Sequence, residues 1–201
     1  MTPEQQQILE SLPGWCSPLK RNTTTEIIHQ LNPHLIVEVG VFGGSWLFGA
    51  ALEAPEAHII GIDPYSVSAC LDGMANEENI KWWNNRGMLE GIYQGVLTTR
   101  HRLGLDNVEI IRDLGENYVE HISDDSVEIF SSDGNHSMEP TMRTVKAYLP
   151  KMRIGGVIIQ DDCSWVEDGI LTVKPAIDWL LSNGCEFMYE VTGAAFIRRV
   201  R

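Results

Sequence analysis

Two short apolar runs in this 201-residue chain end in carboxylates. The run in SVEIFSSDGNHS reaches Asp133, with His136 three residues further on, and GGVIIQDD reaches Asp161 and Asp162. A charged side chain is costly to bury, so such runs should end at water, at a metal or at a ligand. Neighbouring parallel strands lie about 4.8 Å apart. If these two runs are neighbouring strands, Asp133, Asp161 and Asp162 converge on one point, and three anions that close repel unless a cation sits between them. Oxygen donors without cysteine favour Mg²⁺ over zinc, with Mn²⁺ or Ca²⁺ sharing the same donor chemistry. The expectation is a divalent metal on these three carboxylates, holding a substrate oxygen. The plainer alternatives are a turn at Asp133–Gly134, a helix cap at Asp133 or Ser137, and solvated loop acids at Asp161 and Asp162.

A second constellation is VEVGVFGGS, residues 37–45. Glycines after a strand let backbone approach a ligand, and the following helix offers free N–H groups. Gly40, Gly43 and Gly44 are spaced GxxGG, so the GxGxxG dinucleotide fingerprint fails and a nicotinamide-dependent dehydrogenase is disfavoured. Twenty-three residues after Gly40 comes Asp63, at the end of HIIGID. A carboxylate there can accept hydrogen bonds from both hydroxyls of a ribose.

These residues need elements to position them. NTTTEIIHQL predicts a helix opened by an Asn or Thr cap and stopped at NP. HLIVEVG, HIIGID, NVEIIRD, SVEIFSSD and GGVIIQDD predict buried strands. The segments FGGSWLFGAALEA, MLEGIYQGVLTTRHRLG, MEPTMRTVKAYL and VKPAIDWLLSNG predict helices between or after them. CEFMYEV and AAFIRRV around TG predict a terminal antiparallel hairpin. The fold class is therefore α/β, a doubly wound, mostly parallel seven-stranded sheet with a C-terminal antiparallel hairpin. One domain spans 1–201, with an N-terminal helical extension at about 1–32 and a loop-rich insertion at about 64–87 that carries Trp82 and Trp83. Ligands in such sheets sit beyond the carboxyl ends of the strands. The five strand ends here, at Glu38–Gly40, Asp63, Asp113, Asp133 and Asp161–Asp162, all carry a carboxylate.

Composition narrows the class. The net charge of −13 disfavours a nucleic-acid partner, leaving only RRVR as a small basic tail. No apolar segment is long enough to span a bilayer, and the N-terminus lacks the features of a secretion signal. Cys16, Cys70, Cys163 and Cys185 form no CxxC pair, as expected for reduced thiols in a cytoplasmic protein. His29, His34, His58, His101 and His121 fall without carboxylate company and receive no role. The N-terminal helix or the terminal hairpin could form a homodimer interface.

VEVGVFGGS, IIGIDPY, FSSDGNHS and IGGVIIQDD, in that order, resemble the class I S-adenosylmethionine-dependent methyltransferases over roughly residues 20–200. Among these the chain is most similar to the metal-dependent O-methyltransferases, of the catechol and caffeoyl-CoA type and, more closely, the macrocin O-methyltransferase and cephalosporin hydroxylase-like group. The resemblance implies that Glu38, Gly40, Gly43 and Gly44 line the methionine part of S-adenosylmethionine and that Ser45 meets its carboxylate. It implies that Asp63 holds the ribose, that Asp113, Leu114 or Gly115 lies near the adenine, and that Asp133 borders both cofactor and metal. The macrocin-type relatives have a histidine base at the position of His136, whereas the catechol type uses a lysine elsewhere. In many relatives the second acid of the late pair is Asn or precedes an aromatic. Here the run is DDCSW, so Trp165 would supply that wall, and Trp82 and Trp83 would cap the acceptor pocket. The expected activity is methylation of a hydroxyl on a small molecule, sugar or catechol-like, with metal assistance and His136 as base. The competing reading is a non-catalytic or repurposed member of the fold, hydroxylase-like or partner-binding.

Overall fold

The computed structural model describes residues 1–84 and 86–201. The expected insertion therefore includes one position, 85, that lies outside the described residues. The chain opens with α1 (Pro3–Ser11), capped by the Thr2 hydroxyl accepting from the Gln5 N–H, and α2 (Pro18–Leu31). Helix α2 begins four residues before the NTTTEIIHQL segment. Ser17 is the cap, accepting from the Lys20 N–H, and Pro18 takes the first helical position, where its missing N–H costs nothing.

Strand β1 (Leu35–Val39) leads through the glycine turn into α3 (Ser45–Glu53), followed by β2 (His58–Ile62). The loop-rich insertion holds two short helices, α4 (Val67–Leu71) and α5 (Glu77–Trp83). Asn76 caps α5 with its side-chain oxygen, which accepts from the Glu78 N–H at 3.0 Å. Next come α6 (Arg86–Arg102), β3 (Val108–Ile111), the single turn α7 (Gly115–Tyr118), β4 (Val127–Ser132), α8 (Met138–Tyr148) and β5 (Met152–Gln160). A small ladder that the sequence reading did not contain, β6 (Val166–Glu167) with β7 (Ile170–Leu171), precedes α9 (Lys174–Ser182). The chain closes with β8 (Cys185–Val191) and β9 (Ala194–Arg199).

The seven-stranded sheet runs in the order β3-β2-β1-β4-β5-β9-β8. The pairs from β3 to β5 are parallel, and β9 joins β5 and β8 antiparallel. Alternation along each strand splits the core in two. Ile36, Ile59, Ile129 and Ile159 pack with α1, α2, α3 and α6. Val37, Ile60, Phe130 and Ile158 pack with α8 and α9. Among the described residues, no helix is long and apolar enough to cross a membrane.

The order reverses between β1 and β4, which is where a doubly wound sheet opens a crevice beyond its strand ends. Register puts the acidic residues beside it. Val39 pairs with Ser132, and Ser132 pairs with Gln160. Asp133 and Asp161 follow directly, and the ladder continues through them, from Asp133 N–H to Val39 O at 2.9 Å and from Asp161 N–H to Ser132 O at 3.0 Å.

Candidate functional site

Three backbone turns build the crevice. Gly40 leaves β1 at φ +93°, and a Cβ there would lie 2.1 Å from the Asp133 carbonyl oxygen. This glycine lets the β1 and β4 turns touch backbone to backbone. A Cβ on Gly43 would lie 1.9 Å from the Pro13 carbonyl oxygen, because the α1–α2 connection lies on the turn. Gly44 caps α3 at φ +81°, without a side-chain acceptor for the helix N-terminus.

Asp63 holds the turn from the side. Its Oδ2 accepts from the Phe42 N–H at 2.9 Å and its Oδ1 from the Tyr65 N–H at 2.7 Å. Both amides belong to residues in the left-handed region, at φ +45° and +46°. The Tyr65 hydroxyl donates to the Phe42 carbonyl at 3.0 Å, completing the clamp. Burial raises the Asp63 pKa, although the backbone donors pull the other way. Ser45 accepts from Arg21 Nη2 at 3.2 Å. Asp113 sits apart from the carboxylate group. It is exposed, and its Oδ1 accepts from the Leu114 N–H and from Asn117 Nδ2, both at 2.7 Å, beside the start of α7. Leu114 is exposed, and Gly115 packs against Val39, with a Cβ there 2.8 Å from that side chain.

The carboxylates meet a residue that the sequence reading missed. Lys20 is 2% exposed, and its ammonium lies 3.2 Å from Asp133 Oδ2 and in short contact with Asp161 Oδ2. Nothing in PLKRNTTTEIIHQL separates this lysine from a solvated one. The signal that existed was Ser17–Pro18, which fixes the helix start and so the direction of Lys20. Thr24 Oγ1 donates to the Lys20 carbonyl and accepts from Trp46 Nε1 at 3.1 Å, fastening α2 to α3. Burial works to lower the Lys20 pKa, but Asp133 and Asp161 outweigh it and keep the ammonium charged. Burial raises Asp133 as well, and Lys20 with His136 overcomes it, so this carboxyl stays ionised far below its ordinary range. Asp161 is pushed up to about 8 by burial and by the charge of Asp133, while Lys20 pulls it the other way.

His136 Nε2 lies 3.5 Å from Asp133 Oδ1 and 3.3 Å from Asp162 Oδ2, buried and without a hydrogen bond to either. Burial lowers the imidazole pKa, the two carboxylates outweigh it, and the ring titrates above an ordinary histidine. Trp165 lies against His136 with ring centres 5.0 Å apart. The Thr172 hydroxyl donates to the His136 carbonyl at 2.6 Å. Asn135 Nδ2 donates to the carbonyls of Ala69 (2.9 Å) and Asp72 (2.8 Å), buttoning the insertion onto this loop. Asp162 reaches the imidazole from the left-handed region at φ +50°.

The expected metal set was Asp133, Asp161 and Asp162. Among the described residues, the side chains whose donor atoms lie within 4.8 Å of one another are instead Asp133, His136 and Asp162, while Asp161 turns to Lys20. The expected set does not fit an ion in this arrangement, because a lysine nitrogen already lies between two of its three members. Glu38, by contrast, is 2% exposed, and its Oε2 has no hydrogen-bond donor. Burial first and Asp133 second raise its pKa well above the ordinary range. An orphaned buried carboxyl beside the glycine turn fits the amino group of a bound amino-acid moiety.

Trp82 and Trp83 do stand over the glycine turn, but as part of a four-ring cluster. Trp15 stacks on Phe42 at 5.9 Å, and Trp82 and Trp83 lie 6.2 and 5.8 Å from the same ring. The other histidines need a correction. His29, His34 and His58 lie 3.4, 3.6 and 3.4 Å from Glu53, Glu128 and Glu109. Their partners come from distant positions in the chain, so no local pattern announces them. The four cysteines are free thiols.

Residues 37–163, more than half of the chain, match the family described as a methyltransferase domain. No curated protein sequence matches the chain. Among solved structures, it is similar to the S-adenosylhomocysteine-bound methyltransferase PaMTH1 of Podospora anserina, with TM-score 0.71 and 13% identity over 100% of this chain and 89% of the other. It is also similar to the O-methyltransferase NovP, with TM-score 0.67 and 16% identity over 98% and 80%. Cofactor-bound Rv0187 from MTB superposes with TM-score 0.69 and 12% identity over 98% and 88%. At these identities the structural likeness speaks for the fold, and the sequence match supplies the family. The chain belongs to the methyltransferase-domain family and has the Rossmann-like fold of its structural neighbours.

Proposed function

We propose that this chain methylates a hydroxyl oxygen of a small molecule, sugar or catechol-like, with His136 as the general base. The observation that carries the reading is the His136 imidazole, whose buried Nε2 faces Asp133 and Asp162 at the mouth of the strand crevice. S-Adenosylmethionine, when bound, supplies an electrophilic methyl group on a sulfonium. Glu38 and the uncapped N-terminus of α3 suit the amino and carboxylate groups of its methionine part. Asp63 retains free lone pairs for ribose hydroxyls while it holds Phe42 and Tyr65.

A hydroxyl is a poor nucleophile until its proton leaves. His136 Nε2 takes that proton as the new O–CH₃ bond forms and the S–CH₃ bond breaks, leaving a neutral thioether. Asp133 and Asp162 then stabilise the imidazolium. Trp165 fixes the ring against which the acceptor lies. A net charge of −13 favours a small acceptor over nucleic acid, and four free thiols suit the cytoplasm.

The test is transfer of labelled methyl from S-adenosylmethionine to a panel of sugars and catechols, with His136→Asn beside the wild type. Turnover should fall by about 10²–10⁴-fold in the variant, with S-adenosylhomocysteine affinity unchanged. Equal turnover in the two proteins would remove His136 from the chemistry.

A further inference from the structure

We propose that Lys20 is the built-in cation of this site, standing between Asp133 and Asp161 where the strand-end carboxylates would otherwise require a divalent metal. The inference rests on the proposed methyl transfer and adds that it proceeds without an added metal ion. Three observations carry it.

The first is position. The Lys20 ammonium touches one oxygen of each of the two carboxylates that end β4 and β5, and these strands are neighbours in the sheet. A divalent ion bridging the same oxygens would need the space that Nζ fills.

The second is rigidity. Lys20 is not a surface side chain that happens to reach inward. Its own N–H is bonded to the Ser17 cap at 3.0 Å, and its carbonyl accepts from Thr24. Ser17 is tied in turn to Thr192 at 2.7 Å, in the β8–β9 turn. These bonds fix the backbone from which the side chain projects, and withdrawing the ammonium would leave two buried carboxylates facing each other.

The third is charge. Asp133 faces Lys20 with Oδ2 and His136 with Oδ1, while Asp162 faces His136. Asp133 and Asp161 thus meet the Lys20 ammonium, and Asp162 meets the His136 imidazole. Lys20 acts through Asp133, holding it ionised and aimed so that its other oxygen supports the imidazole. It is a positioning residue and donates nothing to the acceptor.

The experiment is a Mn²⁺ titration followed by electron paramagnetic resonance, with S-adenosylhomocysteine present, on the wild type and on Lys20→Met. Methionine keeps the apolar stem and removes the charge. The wild type should show no Mn²⁺ binding at millimolar concentration and should keep its methyl-transfer rate in EDTA. Lys20→Met should gain at least about tenfold in Mn²⁺ affinity, since two uncompensated carboxylates then face each other. Mn²⁺ binding by the wild type, loss of its activity in EDTA, or no gain in Lys20→Met overturns the proposal. If Lys20→Met does not fold, the wild-type titration and EDTA assay decide alone. S-Adenosylhomocysteine binding on the same samples separates the two claims. A protein that binds it and also binds Mn²⁺ refutes the built-in cation and leaves the methyltransferase reading standing, whereas one that does not bind it refutes that reading itself.

Discussion

The ammonium of Lys20 lies 3.2 Å from Asp133 Oδ2, across 113 residues of chain, and joins an N-terminal helix to the switch point of the sheet. Removing one member of a buried ion pair leaves the other uncompensated. Lys20→Ala should therefore destabilise the fold by roughly 3 kcal/mol, read as a lower urea midpoint at an unchanged slope. A midpoint within error of the wild type would mean that the lysine is free to leave the site.

Asp63 should matter to the fold as well as to the cofactor. Asp63→Ala leaves the Phe42 and Tyr65 N–H groups without acceptors while both residues stay left-handed. The expected cost is about 1–3 kcal/mol of stability, together with weaker S-adenosylhomocysteine binding in calorimetry. Loss of affinity without loss of stability would assign Asp63 to the ligand alone.

The glycines divide sharply. Gly40→Ala places a methyl 2.1 Å from the Asp133 carbonyl oxygen in a left-handed conformation, so the β1 and β4 turns must separate. Expression of soluble protein should fail, or stability should fall by at least about 3 kcal/mol. Gly91, inside α6, has nothing within 4 Å of a Cβ. Gly91→Ala should stabilise by roughly 0.5–1 kcal/mol. Thermal denaturation of the two variants side by side checks the contrast.

The strands and the acidic ends of β1, β2, β4 and β5 were legible because buried parallel strands are short, β-branched and punctuated by carboxylates at the water boundary. The neighbourhood of Asp133 and Asp161 followed from the adjacency of β4 and β5. Lys20 was not legible, because its burial comes from where α2 lies over the sheet, and PLKRNTTT has the local pattern of a solvated helix start. The role of Asp113 is less legible, because a strand-end carboxylate serves its own turn as readily as a ligand, and its Oδ1 accepts from Leu114 and Asn117. The aromatic cluster on Phe42 joins Trp15, from the α1–α2 connection, to Trp82 and Trp83 of α5, segments whose meeting no local periodicity encodes.

Glu128 gives the fold a pH dependence away from the site. Burial works to raise its pKa, but the backbone N–H groups of His34 and Leu35 and the guanidinium of Arg153 outweigh burial and lower it. A carboxyl whose folded pKa is depressed stabilises above its unfolded value, about 4.3. That contribution disappears as the pH falls through the lower folded value. Glu128→Gln should therefore lower the melting temperature at pH 7 and converge on the wild type in strong acid. A difference that persists undiminished at low pH would assign the effect to packing.

The central claim is that the crevice above β1 and β4 holds S-adenosylmethionine. The most direct measurement is the melting temperature of the wild type with and without S-adenosylhomocysteine, with NADH as control. A ligand at 100 times its dissociation constant stabilises by about 2.7 kcal/mol, which for a domain of this size raises the midpoint by roughly 5 to 10 °C. The predicted result is that rise with S-adenosylhomocysteine and none with NADH. No shift with S-adenosylhomocysteine at millimolar concentration would contradict the account and leave the glycine turn, Asp63 and Glu38 as parts of a fold that has lost its ligand.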